Sequence, residues 1–179
     1  MKKIILIIIF FSGILGNAFS QDDVYYTRSA NLQINGEFDG KSLNATTRQL
    51  GITLDYETTE ITLKLNLNNL SFDEDSLNQL IENNHFEIEF KGTLSLEYIN
   101  TDDHPPQKFK VEGWVEVGGE KKKIEGKGEL HHIDQSDNFA CMLGMTINLK
   151  LDDYNIQIPK MENEIEVVIK QALLKKDKN

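Results

Sequence analysis

The sequence predicts a mainly β fold in which antiparallel strands, about eight of them, close into a barrel that carries one short helix. Three observations lead there. Apolar and polar residues alternate with period two over most of the chain, the mark of strands with one buried face. One alternating run, from Phe139 through Cys141, Leu143, Met145, Ile147 and Leu149 to Leu151, would extend over about 43 Å at the usual strand rise, which suits a curved, closed sheet better than a flat sandwich. Gly92, Gly113, Gly126 and Gly128 interrupt strand patterns, where glycine marks the bends a small barrel needs.

Taken in order, residues 1–20 read as a secretory signal peptide and residues 21–179 as one domain. Lys2 and Lys3 form a positive start, Ile4 to Leu15 is apolar except for Ser12 and Gly13, and Ala18-Phe19-Ser20 sets small residues before Gln21. The run is shorter than the roughly 20 apolar residues that span a bilayer, so cleavage near Ser20 is expected in preference to a retained anchor. No cysteine follows the run to carry a lipid.

Strands are then expected over Tyr25 to Phe38 and Leu43 to Tyr56, turning at Asn35-Gly36 or at Asp39-Gly40. Ile61, Leu63, Leu65 and Leu67 give a third. A helix over Glu74 to Asn84, capped by Ser71 or Asp73, places Leu77, Leu80 and Ile81 on one face. Phe86, Ile88 and Phe90 begin another strand whose face continues through Leu94, Leu96 and Tyr98. Phe109, Val111, Val115 and Val117 form the next, and the Gly118-Gly119 turn leads to a strand over Lys121 to His132. The long run from Phe139 and a last strand over Ile165 to Leu174 complete the set, before a polar tail.

Charge and chemistry narrow the function. Without Lys2 and Lys3 the chain has 17 basic and 29 acidic residues, a charge of −12. That excess argues against nucleic acid and against anionic membrane surfaces, both of which want basic patches. Cys141 is the sole cysteine, so no intramolecular disulfide is available, and its place in an apolar register makes it a small buried hydrophobe. Adjacent His131 and His132 point to opposite faces of a strand, an awkward pair for one metal; His104 precedes two prolines in a turn. Glu87, Glu89, Glu112 and Glu116 occupy the outward register. There is no nucleophile elbow and no phosphate loop, so no catalytic residue, metal ligand or cofactor is assigned.

The C-terminal third carries a resemblance. Asn148 to Lys160 (NLKLDDYNIQIPK) resembles the closing phrase of the YceI-like family, a long strand ending in Asp-Tyr/Phe-Gly-Ile, with Asn155 standing where glycine is usual. Met161 to Ile169 is similar to that family's last strand as written in Bacteroidetes-type members. Phe109 to Gly119 followed by Lys122-Lys123-Ile124 is similar to its central hairpin. The family's longer Tyr/Phe-Pro segment after the helix is absent, since Glu82-Asn83-Asn84-His85-Phe86 runs almost directly into the strand. The resemblance implies an extended, lipocalin-like barrel, periplasmic or secreted, several of whose members hold a polyisoprenoid or similar amphiphile in an apolar channel.

Register alone names lining candidates: Leu63, Leu65, Phe86, Ile88, Phe90, Val111, Val115, Leu143, Met145 and Ile147. The expected partner is therefore an amphiphilic lipid or polyisoprenoid, with a homodimer left open. Three other readings compete. A solid barrel would make the chain a periplasmic interaction module. A small hydrolase or metal enzyme would have to use His132 or nearby carboxylates. An outer-membrane barrel would need an apolar exterior with aromatic girdles, poorly served by one Trp and a Lys175-Lys176-Asp177-Lys178-Asn179 end.

Overall fold

The computed structural model describes residues 24–82, 86–99, 105–133 and 141–176, the His132 side chain excepted. The expected signal peptide, with His85 and His104, lies outside the described residues. Nine strands form one antiparallel sheet: β1 (Val24–Phe38), β2 (Lys41–Asp55), β3 (Glu60–Asn66), β4 (Ser71–Phe72), β5 (Glu87–Leu94), β6 (Gln107–Val117), β7 (Glu120–His132), β8 (Cys141–Lys150) and β9 (Glu164–Lys176). The order runs β1-β9-β8-β7-β6-β5-β3-β2, and β2 returns to β1, so eight strands close a barrel. The two-residue β4 pairs with Ala45 and Thr46 of β2, beyond the reach of β3.

Turn chemistry decides between the alternatives at the first hairpin. Asp39 and Gly40 both have positive φ (52° and 74°) and make the tight turn, whereas Asn35 and Gly36 stay inside β1. Gly118 and Gly119 do the same between β6 and β7. The helix, α1 (Asp75–Glu82), buries Leu77 and Ile81 but leaves Leu80 exposed. Its expected cap is not used: the Asp73 carboxylate accepts from the Asn44 backbone N–H at 3.0 Å, tying the segment to β2, and Glu74 Oε1 takes the Ser76 hydroxyl at 2.8 Å.

Three expected strands are shorter than their patterns. β5 ends at Leu94, where the chain turns to give the Ser95 N–H to Lys110 O; Tyr98 is 63% exposed and no longer shares the buried face. β8 ends at Lys150, and Leu151 opens a 3₁₀ turn, Leu151–Tyr154; Phe139 lies outside the described residues. Leu67 likewise begins a 3₁₀ turn, Leu67–Asn69, rather than ending β3.

Three strands bulge together. Thr27 and Ala30 of β1 face Ile52 and Leu50, three steps against two, and the following step reverses the excess onto β2 between Leu50 and Thr47. On β9, Ala172 and Ile169 face Leu143 and Met145, with Gln171 at φ 49°. Each extra residue inverts which side chains face inward.

Glycine permits the opposite wall to bend. Gly92 and Gly113 face each other across β5 and β6, and the Phe90 ring lies over both: a Cβ on Gly113 would stand 2.3 Å from Lys91 O and 2.5 Å from that ring. At Gly128 a Cβ would meet Gly144 O at 2.2 Å and the Phe109 ring at 2.5 Å. At Gly51 it would find only ordinary contact, 3.6 Å from Lys64 O. Gly128→Ala is therefore expected to destabilise the barrel by about 2 kcal/mol or more, while Gly51→Ala stays within about 1 kcal/mol of wild type. Urea denaturation of the two variants measures both.

Candidate ligand-binding interior

The inward register of the eight strands is apolar through the body of the barrel, with Glu120 and Lys122 of β7 at one rim. Of the ten lining candidates, Leu63, Leu65, Phe90, Val111, Val115, Leu143, Met145 and Ile147 lie inside, each 0–6% exposed. Ile88 is only partly buried, packed against this core. Phe86 is a correction. It precedes β5 and is 45% exposed, because the strand that would carry it inward begins one residue later. Its backbone oxygen receives the Leu67 N–H at 2.9 Å, anchoring the barrel's end instead.

The lining candidates left most of the interior unnamed. Leu32, Leu50, Ile52, Leu54, Ile169 and Leu174 are all buried, on the bulged strands β1, β2 and β9. The signal was present as a change of phase: Leu43, Ala45 and Thr47 are buried at odd-numbered positions on β2, and Leu50, Ile52 and Leu54 at even-numbered ones. With exposures this low the inward side chains close on one another, leaving almost no surface that water could reach.

The two ends differ. Where β1, β8 and the end of β9 meet, Tyr25 and Tyr56 stack with centroids 3.7 Å apart and planes at 20°. The Tyr56 hydroxyl donates to Cys141 Sγ at 2.7 Å. This aromatic plug seals that end. At the other end the inward residues Ile88, Val117, Ile124, Leu149, Ile165 and Val167 are only partly buried, so the apolar lining runs out to solvent. The 3₁₀ turn with Tyr154 lies against β7 at this end, where the Asn155 side-chain amide donates to Glu120 Oε1 at 3.0 Å. Asn155 is left-handed, at φ 56° and ψ 26°, as its place in the closing phrase implied.

Titration of the buried groups follows from burial. The Cys141 thiol is pushed up to about 11 by desolvation, against a smaller opposing effect of the Tyr56 hydrogen bond. Tyr154 is pushed up to about 12, again by burial and then by the Asp153 carboxylate. Neither is an activated nucleophile. His131 Nε2 stands 2.8 Å from Glu129 Oε1 on the half-exposed side of β7, and His132 is the register partner of Cys141. Among the described residues no three or more His, Cys, Asp or Glu side chains gather to hold a metal, and no helix is long and apolar enough to cross a membrane.

The outer wall is polar and ion-paired. Lys64 reaches Glu89 at 3.2 Å and Glu87 at 3.5 Å, and Lys123 reaches Glu112 at 2.8 Å. A shallow groove of about 740 Å³ crosses β3, β5 and β6 on this side, bordered by Thr62, Lys91, Glu112, exposed Trp114 and Lys123.

Solved structures with this geometry exist. A polyisoprenoid-binding domain from Saccharophagus degradans, implicated in plant cell wall breakdown, superposes with a TM-score of 0.63 at 8% identity, over 88% of this chain and 100% of that one. The chain shares that domain's barrel fold. Burkholderia cenocepacia BcnA matches with a TM-score of 0.57 at 7% identity, over 80% of this chain and 94% of BcnA. At such identities the likeness is one of fold. No family model and no curated protein matches the sequence.

The thiol makes a pH test possible. An acid whose folded pKa lies above its unfolded value stabilises the fold below the unfolded pKa and loses that contribution as pH rises. For Cys141 the window runs from its ordinary value of 9.0 to about 11, a contribution of about 2–3 kcal/mol. Denaturation between pH 8 and 11 should show wild type losing stability more steeply than Cys141→Ala. At pH 8 iodoacetamide should modify the thiol only in denaturant.

Proposed function

We propose that this chain is an exported, non-enzymatic binding protein that holds an isoprenoid or other long-chain lipid in its barrel, in the periplasm or secreted space after cleavage near Ser20. The observation that carries this reading is the closed ladder itself. Its inward face is apolar between a stacked tyrosine pair at one end and, at the other, a rim of half-buried aliphatic residues with Glu120 and Lys122. Such an interior suits a chain-like ligand with few polar groups. The fold shared with a polyisoprenoid-binding domain supports the same class of ligand, and the Lys2-Lys3 leader supports export.

The lining is closed on itself, so a lipid has to displace side chains as it enters. Met145, unbranched and adaptable, and the partly buried Ile88, Val117 and Leu149 at the less buried end are the side chains that yield most readily. Each methylene removed from water contributes about 0.8 kcal/mol, so a chain of several isoprene units offsets that rearrangement.

Tight closure of the interior favours a second reading, an interaction module with a solid core, and the Trp114 groove on the outer wall is its natural contact surface. One experiment separates the two. Protein purified from a bacterial periplasm, examined by native mass spectrometry and then extracted with organic solvent, should release a prenyl or other long-chain lipid. Folded protein that neither carries such a lipid nor takes one up after delipidation would leave the solid-barrel reading.

A further inference from the structure

Tyr154 ends the 3₁₀ turn at the end of the barrel where the inward residues are only partly buried. The turn is firmly placed. Asp152 N–H donates to Asn163 Oδ1 at 2.9 Å, Leu151 N–H to Asn163 O at 2.9 Å, and Ile156 N–H to Leu151 O at 3.1 Å. The Tyr154 side chain belongs to the apolar core and is 6% exposed. Its hydroxyl is nevertheless the one buried side-chain polar atom without a hydrogen-bond partner among the described residues.

The contrast with the other buried polar groups is sharp. The Thr59 hydroxyl donates to Leu94 O at 3.2 Å, Thr47 Oγ1 accepts from the Gln49 N–H at 3.1 Å, and Tyr56 has Cys141. Buried polar groups are nearly always paired, and an orphan points to a partner that arrives from elsewhere. Asn155 beside it satisfies its own side chain on Glu120, so the turn is not loosely built.

The chemistry of the surroundings limits what that partner can be. Among the described residues, the tyrosines and Cys141 aside, the buried polar side chains are two threonines, with no buried cation. A phosphate drawn inside would therefore lose its hydration without a counter-charge. Glu120 and Lys122, in the inward register of β7, stay half-exposed at the rim, where water solvates them. A phenol supplies one neutral donor, which matches one neutral acceptor.

We propose that the Tyr154 hydroxyl donates a hydrogen bond to an uncharged oxygen of the bound lipid, an alcohol or a carbonyl. That contact fixes the ligand's polar end beneath the 3₁₀ turn and directs its hydrocarbon toward Leu143 and the tyrosine plug. Burial keeps the phenol protonated well beyond neutral pH, so the donor is always available. The assignment rests on the lipid-binding reading above and adds to it the class of headgroup and the residue that selects it.

Tyr154→Phe tests it, because that change removes only the hydroxyl. Equilibrium binding of geranylgeraniol and of the matching hydrocarbon without the hydroxyl is measured on the full chain, for wild type and variant. The alcohol should bind the variant about five- to tenfold more weakly, the yield of one neutral hydrogen bond, and the hydrocarbon equally well. The lipid-free variant should melt at the wild-type temperature or above, having lost an unsatisfied group. An unchanged affinity for the alcohol, an equal loss for both probes, or a lowered melting temperature of the lipid-free variant would overturn the assignment. Failure of wild type to bind either probe would overturn the lipid-binding reading, and this assignment with it.

Discussion

Closure of the hydrogen-bond ladder at β1, which pairs with both β2 and β9, is the constraint on which the rest of the structure depends. An open sheet of these strands would expose unpaired edges and an apolar face. Closing it demands curvature, and the chain supplies that in two ways. On β5, β6 and β7 glycines let the backbones approach beneath the Phe90 and Phe109 rings. On β1, β2 and β9 single extra residues bend the strands at a common level. The wall is thus glycine-bent on one side and bulged on the other.

Closure also fixes what the interior can do. The buried inward side chains are almost all apolar, and no charged side chain is buried among the described residues. The ends take the remaining polar work. Tyr25, Tyr56 and Cys141 join a stacked pair to a hydrogen bond at one end, and the 3₁₀ turn holds Tyr154 at the other. The chemistry on offer is shape, apolar surface and a single unanswered hydroxyl.

Much of this was legible in the residues, and the reasons for the remainder are physical. β6 and β8 alternate without interruption, so their strands and inward residues could be named directly: Val111, Val115, Leu143, Met145 and Ile147. The bulged strands could not be read that way, because one extra residue moves every later side chain to the other face. Their patterns look untidy only when one phase is imposed on both halves. Phe86 failed differently. It keeps the spacing of Ile88 and Phe90, but spacing says nothing about where a strand starts, and the short passage from α1 leaves it outside. Tyr154 stood in the quoted family phrase, yet an unsatisfied hydroxyl is a property of three-dimensional packing and leaves no mark in sequence.

The central claim is that the apolar interior yields to a lipid while the outer wall does not take part. Methyl-resolved NMR, with the Ile, Leu, Val and Met methyl groups labelled and a long-chain isoprenoid titrated in, tests it most directly. The account predicts slow-exchange shifts and lipid contacts at Val111, Val115, Leu143, Met145 and Ile147, with resonances of the outer wall, including the Trp114 indole, unmoved. Interior methyl signals that stay fixed while Trp114 and its neighbours shift would contradict it.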